Sequence, residues 1–445
     1  MVNDKKTQVF FDGFLFPKVF RTFRIAIQPA KLIICFLAIV VICLAGWIMD
    51  LSKTVVQAEQ GRITELQIYI SSPAQLPVFI DLNKQGGKRI GVFSALWRFG
   101  SEKFNSALRS LFQFDVLGVA ESIAQCSRAL VWAARYNPVY TIVFFAVTLA
   151  VISLAGGATC RIAALQFALG EKPGLTDAVL FGLRKFPSFF TAPLIPMGII
   201  IVMGSFVTVL GLVGNIPVAG ELLIGLCMPL TLIAGALMTV IATGAIAGLN
   251  LMFPTIAYED SDSFDAISRS FSYVYAKPWR MGFYSAVAVV YGAVCYIFVR
   301  FFAFVSLWIS YVFLQIGVLG GNRRLVAVWP EPALTDFLGS PSATAQGWSV
   351  SVSAMLVHLF ILAVIGAMIA FVMSFYFSAS TIIYALMRNR VDNTALDDVC
   401  THSGPDELRP QPRAIQPESQ HLTSQGDLEN PPSLAAKTDQ PATEQ

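Results

Sequence analysis

Six stretches of the chain are each long and apolar enough to cross a lipid bilayer: residues 32–49, 138–159, 190–213, 222–250, 282–301 and 353–387. A spanning helix takes about 20 apolar residues, because the hydrocarbon layer is about 30 Å thick. An unpaired peptide group inside that layer is costly, so the backbone must satisfy itself within helices. The fold class that follows is an all-α integral membrane protein with about six transmembrane helices. Composition agrees. The chain is 55% hydrophobic and 13% charged, against roughly 25% charged in a soluble domain. With a net charge of +3, and basic residues gathered at the ends of apolar runs, charge speaks for topology rather than for nucleic acid.

Lys5, Lys6, Lys18, Arg21, Arg24 and Lys31 precede the first run, which places the N-terminus in the cytoplasm. Six crossings return the C-terminus to the same side, and Arg388 and Arg390 after the last run agree. Arg323 and Arg324 fall on the outer side and dissent. The first run lacks a small-x-small cleavage site and reads as a retained anchor. The fourth and sixth runs exceed the minimum and should tilt or project beyond the lipid. Arg300 interrupts the apolar interval 282–318, so the fifth span should end near Phe301. Its guanidinium then lies among headgroups, and 302–318 forms an outer helix.

Around the spans, residues 1–31 read as an amphipathic cytoplasmic segment. Phe16, Val19, Phe20 and Phe23 share one face, and Lys18, Arg21 and Arg24 the other, the pattern of a strap on an anionic membrane surface. The first transmembrane helix takes 32–50. An extracytoplasmic, mostly helical segment takes 51–137, with amphipathic helices over 92–112 and 116–135. The second of these can run on into the next span. "ITELQIYI" and "LPVFIDL" permit short strands, and "GGKRIG" reads as a loop. Residues 138–390 form a five-helix bundle with an outer loop at 319–352, whose Trp329 and Trp348 suit an interfacial aromatic belt. The tail 391–445 is rich in Pro, Ser, Gln and acidic residues, and should be disordered.

The loop regions hold a repeat. "GEKPGLTDAVLFGLRKFPSFF" at 170–190 aligns with 258–278 at a constant offset of 88 residues, so that Asp177 meets Asp265, Ala178 meets Ala266 and Leu183 meets Phe271. In the second copy Phe264, Ile267, Phe271 and Val274 are spaced three, four and three, one stripe of a helix. Two repeated cytoplasmic amphipathic helices, 170–190 and 258–280, are therefore expected. Asp177, Arg184, Lys185, Asp265, Arg269 and Arg280 on their polar faces are the candidate docking residues for a protein partner. The first copy resembles the cytoplasmic loop of ABC importer permeases only in "DAVLFG" and the later "PLIP". Gly182 stands five residues after Asp177 rather than six, and Ser270 replaces it in the second copy.

"GGATCRIAALQFALGEKPGLTDAVLFGLRKF", "PTIAYEDSDSFDAISRSFSYVYAKPWR" and "SASTIIYALMRNRVD" resemble a group of bacterial polytopic inner-membrane proteins, over most of residues 10–400. The pattern is more distantly similar to the membrane domains joined to some glycerophosphodiester phosphodiesterases, but no hydrolase domain is attached here. The resemblance implies a multi-pass protein of the bacterial cytoplasmic membrane, with both termini cytoplasmic. It brings no catalytic residues.

Helices in lipid associate through small residues that let backbones approach. The sixth run carries Gly366, Ala370, Ser374 and Ser378 in register. The fourth carries Gly235, Thr239, Thr243 and Ala247, with Gly244 and Gly248 beside them. These are the candidate packing seams. Ionisable residues inside the runs are few; His358 reads as a hydrogen-bonded interface histidine rather than a proton relay. No GxSxG, HExxH, phosphate-binding glycine loop or carboxylate pair occurs. The seven cysteines form no CxxC, and no cofactor or metal is expected. The reading is a non-enzymatic transport or lipid-handling membrane component in contact with the bilayer, or alternatively a scaffold or assembly factor holding protein partners.

Overall fold

The computed structural model describes residues 16–58, 63–83, 88–317, 323–335, 337 and 348–400. After a 3-10 turn at Phe16–Arg21, the helices α1 (Thr22–Ala26) and α2 (Pro29–Met49) lead to strand β1 (Val55–Gln57). Then come α3 (Glu65–Ser71), α4 (Leu76–Leu82), β2 (Lys88–Ile90), α5 (Val92–Phe112) and α6 (Val116–Tyr136). The remainder is helical: α7 (Pro138–Ala168), α8 (Leu175–Arg184), α9 (Phe186–Thr191), α10 (Leu194–Val213), α11 (Ala219–Glu259), α12 (Ser263–Ala276), α13 (Pro278–Gly317), α14 (Arg323–Val328) and α15 (Trp348–Val391). Six of these, α2, α7, α10, α11, α13 and α15, are long and apolar enough to cross a membrane. The chain is thus an all-α multi-pass membrane protein. At about 1.5 Å per residue, the 41 residues of α11 and 44 of α15 are about twice the length that hydrocarbon demands.

The core sits at the end of the bundle where α15 terminates, here called the terminal end. Buried residues run unbroken over 153–165 on α7 except for Leu154, over 251–258 on α11 and 377–387 on α15. Glycines make this approach possible. A Cβ on Gly156 would fall 2.5 Å from the Phe377 ring, and one on Gly157 2.6 Å from Phe189. Phe253 and Phe377 stack with centroids 5.9 Å apart. Towards the other end the same helices stay apolar yet exposed, as at Leu226 and Ile246, which is the surface lipid would cover.

Two hairpins complete the terminal end. α8 folds back antiparallel on α7, with Gly182 against the Leu154 carbonyl and Ala158. α12 folds back on α11 in the same way: Ser270 meets Gly248, Phe271 meets Gly244, and the Tyr275 hydroxyl donates to the Val240 carbonyl at 2.6 Å. The buried side of α12 is Ala266, Ser270, Tyr273 and Val274. Of the stripe read from the sequence, Val274 is buried, Ile267 and Phe271 are half-buried, and Phe264 is 71% exposed. The small residues that permit the close approach are Gly244 and Gly248 of α11, which make room for Phe271 and Ser270.

The N-terminal segment also departs from expectation. Val19, Thr22, Ile25 and Ala26 are buried inside the bundle, and Phe23 packs edge-on to Phe298 and Phe371. One side of this segment is thus packed into the core, while Phe20, Arg21 and Arg24 stay exposed. The rest of that segment, 1–15, lies outside the described residues.

At the opposite end, β1 and β2 pair antiparallel, Val55 with Ile90 and Gln57 with Lys88. "GGKRIG" is therefore partly strand, with 86–87 outside the described residues. The two stretches read as possible strands are helices α3 and α4. Thr64 and Gln67 form a reciprocal capping box that starts α3. The Asp50 carboxylate, just past α2, accepts the Phe93 and Ser94 amides at 2.8 and 2.7 Å and so caps α5. α6 and α7 are separate helices, broken at Asn137 (φ −132°, ψ 61°).

α13 continues through Arg300 without a break. Arg300 is 5% exposed rather than among headgroups. It donates to the Leu334 carbonyl at 2.8 Å and the Tyr296 hydroxyl at 3.1 Å, and stacks 4.7 Å from the Phe337 ring. The outer loop supplies the cover. Trp329 there is buried edge-on to Tyr311 rather than placed in a belt, while Trp348 is exposed. Residues 338–347 of that loop lie outside the described residues.

Finally, the chain after α15 returns to the core. Val399 is buried, and the Cys400 amide donates to the Tyr258 carbonyl at 3.0 Å. Residues 392–400 thus do not belong to a disordered tail; 401–445 lie outside the described residues.

Candidate functional site

Charges from α8, α11, α12 and α15 converge where α11 stops. Glu259 ends α11, and its side chain is 10% exposed. Its carboxylate receives Arg269 of α12 at 2.8 Å, Arg388 of α15 at 3.1 Å and the Tyr384 hydroxyl at 2.5 Å. Asp260 follows in the left-handed region (φ 53°) and pairs with Lys185 at 3.0 Å and Arg184 at 3.7 Å. Arg388 also bridges to Asp398 at 3.0 Å. Arg161 of α7 donates to the Ala257 and Cys400 carbonyls, both at 2.8 Å, with its guanidinium 4.7 Å from the Phe181 ring.

Tyr273 donates to Asp392, and Lys277 to the Arg390 carbonyl. Burial, and then the Asp392 carboxylate, push the Tyr273 phenol above its usual range, so it stays a donor. Glu259, Asp260 and Arg388 are each matched by opposite charge. That is the arrangement of a clamp holding four helices and the returning segment.

Beside the clamp, a cavity of about 360 Å³ opens between α11, α13 and α15. Ala288, Gly292 and Ala293 form one wall, and Phe371, Phe375, Ala379 and Ile383 the other. Asn250, Ser285 and Ser380 contribute polar atoms, and Phe104 of α5 reaches in. Asn250 Oδ1 is buried with no hydrogen-bond partner among the described residues. From Ile383 to Phe371 the groove follows α15 for about 18 Å, close to the ~15 Å depth of one hydrocarbon leaflet.

Of the candidate docking residues, Arg184, Lys185, Asp265 and Arg269 enter the ionic cluster, Asp265 through Arg269 at 3.1 Å. Asp177 is exposed in the first turn of α8, and Arg280 is exposed at the start of α13. The α15 seam meets α1 and α2. A Cβ on Gly366 would lie 3.0 Å from the Phe36 ring, Ala370 is buried, Ser374 donates to the Ala26 carbonyl at 2.8 Å, and Ser378 accepts from Lys31 at 3.4 Å.

The α11 seam needs correction. Gly235 has nothing within 4 Å, Thr239 and Thr243 are exposed, and Ala247 is half-buried. The packed stripe is Gly244 and Gly248, one residue and hence about 100° further round the helix. The two threonine hydroxyls donate to carbonyls four residues back, which is how a lipid-facing hydroxyl is satisfied. His358 is exposed on α15.

Sequence reasoning missed Lys31. It reads as an interfacial cation, yet it is wholly buried and donates to the Ile25 carbonyl at 2.9 Å. It also missed the meeting of Glu259 with Arg388. Only the adjacent charges in "YED" and "MRNRVD" hinted at it, and nothing local pairs them. No family model matches the chain, and neither a curated protein nor a solved structure does.

Proposed function

We propose that the protein is a non-enzymatic lipid-handling component of the bacterial cytoplasmic membrane, with both termini cytoplasmic, and that the groove between α11, α13 and α15 takes a lipid acyl chain. The groove carries this reading. It is apolar and leaflet-deep, and Ala288, Gly292, Ala293 and Ala379 leave room along it for a chain of methylenes. Asn250 offers one polar contact within it.

The repeat belongs to the same proposal. α7–α8–α10 and α11–α12–α13 descend from one unit of span, returning helix and span. In support, the aligned Ala178 and Ala266 are both buried against their parent helices, as are Gly182 and Ser270. Amphipathic α8 and α12 close the cytoplasmic end.

Mass spectrometry of the purified protein tests the groove. The parent should carry stoichiometric phospholipid, and Ala293→Trp, which fills the groove, should lose it. A parent free of lipid, or an Ala293→Trp variant that retains it in full, overturns the reading. The scaffold reading draws on one observation: among the described residues nothing lies within 4 Å of a Cβ on Gly235, and Thr239 and Thr243 on the same stripe are exposed. Crosslinking from Thr239→Cys to a stoichiometric partner would favour it.

A further inference from the structure

α6 has two apolar faces, and only one of them is used. Ala129, Trp132 and Ala133 are buried, in one cluster with Phe99 of α5. On the other side Val116, Ala120, Ile123, Leu130, Val131 and Ala134 are all exposed. Ile123 is 61% and Leu130 65% exposed. At about 100° per residue these six fall on a stripe roughly 100° wide, within which the exposed Ser127 satisfies its hydroxyl on the Ile123 carbonyl. Glu121, Arg128 and Arg135, also exposed, recur every seven residues along one edge of it. A soluble helix of 21 residues does not ordinarily present such a face to water.

Both ends of the stripe run into surface that belongs to spanning helices. Val116 and Val119 at the start of α6 line a cavity together with Ile297 of α13, beside the exposed Phe298 and Phe301. At its other end α6 is separated only by Asn137 from α7, whose Val139 and Ile142 are exposed. The neighbouring α5 is fixed to the end of α2 by Asp50. α6 therefore bridges from the side of one long apolar helix, α13, to the start of another, α7.

We propose that α6 is an interfacial helix that embeds its exposed face in the lipid leaflet at that end of the bundle. Arg128 and Arg135 reach past the edge of the face to lipid phosphates, as long cationic side chains do at headgroup depth. The occupant is lipid because the apolar face is continuous with apolar surface of spanning helices at both ends.

Nitroxide scanning tests this on the full chain in vesicles of phosphatidylethanolamine and phosphatidylglycerol. Labels go on Ile123→Cys, Leu130→Cys and, for contrast, Glu121→Cys. The accessible cysteines are first removed as Cys43→Ser, Cys126→Ser, Cys227→Ser and Cys400→Ser, while the buried Cys35, Cys160 and Cys295 stay. Collision with oxygen relative to a water-soluble nickel chelate should be several-fold higher at 123 and 130 than at 121. Equal nickel access at all three sites overturns the proposal. So does shielding of 123 and 130 from both reagents, which would mean that protein covers the face. Leu130→Asp gives a second reading: it should leave detergent stability unchanged but shift the Glu121 label toward water. An unshifted label counts against embedding.

Discussion

Glycine at two positions separates tight packing from open surface. A Cβ on Gly182 would sit 2.9 Å from the Leu154 backbone carbonyl, an atom that cannot step aside. Gly182→Leu should lower stability by about 1–3 kcal/mol, whereas Gly235→Leu, with nothing within 4 Å, should be near neutral in detergent melts. Equal losses would contradict the α7–α8 contact. Glu259 is the other residue on which much depends. Glu259→Gln leaves Arg388, 12% exposed, short of its buried partner, a loss of about 3 kcal/mol. Arg269→Ala should cost under about 1 kcal/mol, because that side chain is 40% exposed and screened. If the two variants melt alike, Glu259 is not the hub of the cluster.

Among the elements, α5 owes its start to a residue 43 positions away. Asp50 caps it, and a Cβ on Gly91 would lie 2.0 Å from the Asp50 carboxyl carbon. Gly91→Ala should displace that cap, and faster amide exchange at Phe93 and Ser94 would register it; unchanged exchange would show the cap dispensable. The α3 start was legible, since Thr64-x-x-Gln67 is a local signal, but alternating apolar residues masked it. Asp50 at the start of α5 was not legible, because no local rule links a carboxylate to amides so distant in the chain. The segment after α15 is similar. Its composition argues for disorder, yet Arg161 and Tyr258 hold Cys400 in place. Arg161→Met should release residues 392–400 to rapid exchange while the spans stay protected; retained protection would assign the anchoring to Tyr258, Tyr273 and Arg388 instead.

For the molecule as a whole, pH acts on the non-spanning end through Glu65. It is buried, burial raises its pKa, and the hydrogen bond from the Val56 amide opposes that rise. The folded carboxyl therefore holds its proton better than the unfolded one. Its contribution is full below the unfolded value, about 4.3, and is lost as pH rises through the folded one. Glu65→Gln should be more stable than the parent at pH 8 and equal to it at pH 4, as followed by thermal melts. A gap independent of pH would exclude Glu65 as its source.

The sequence by itself determined the six spanning helices, because hydrocarbon forces each apolar run to satisfy its own backbone, a constraint local to each run. It also determined the small-residue stripe of α15, whose four-residue period is visible along one helix. Only the tertiary structure decided which glycines of α11 pack, that Val19, Thr22, Ile25, Ala26 and Lys31 are core, that Arg300 is covered, and that Glu259 meets Arg388. Those outcomes depend on which faces of distant helices turn toward one another. In lipid, where both faces are apolar, hydrophobic pattern does not distinguish the packed face from the exposed one.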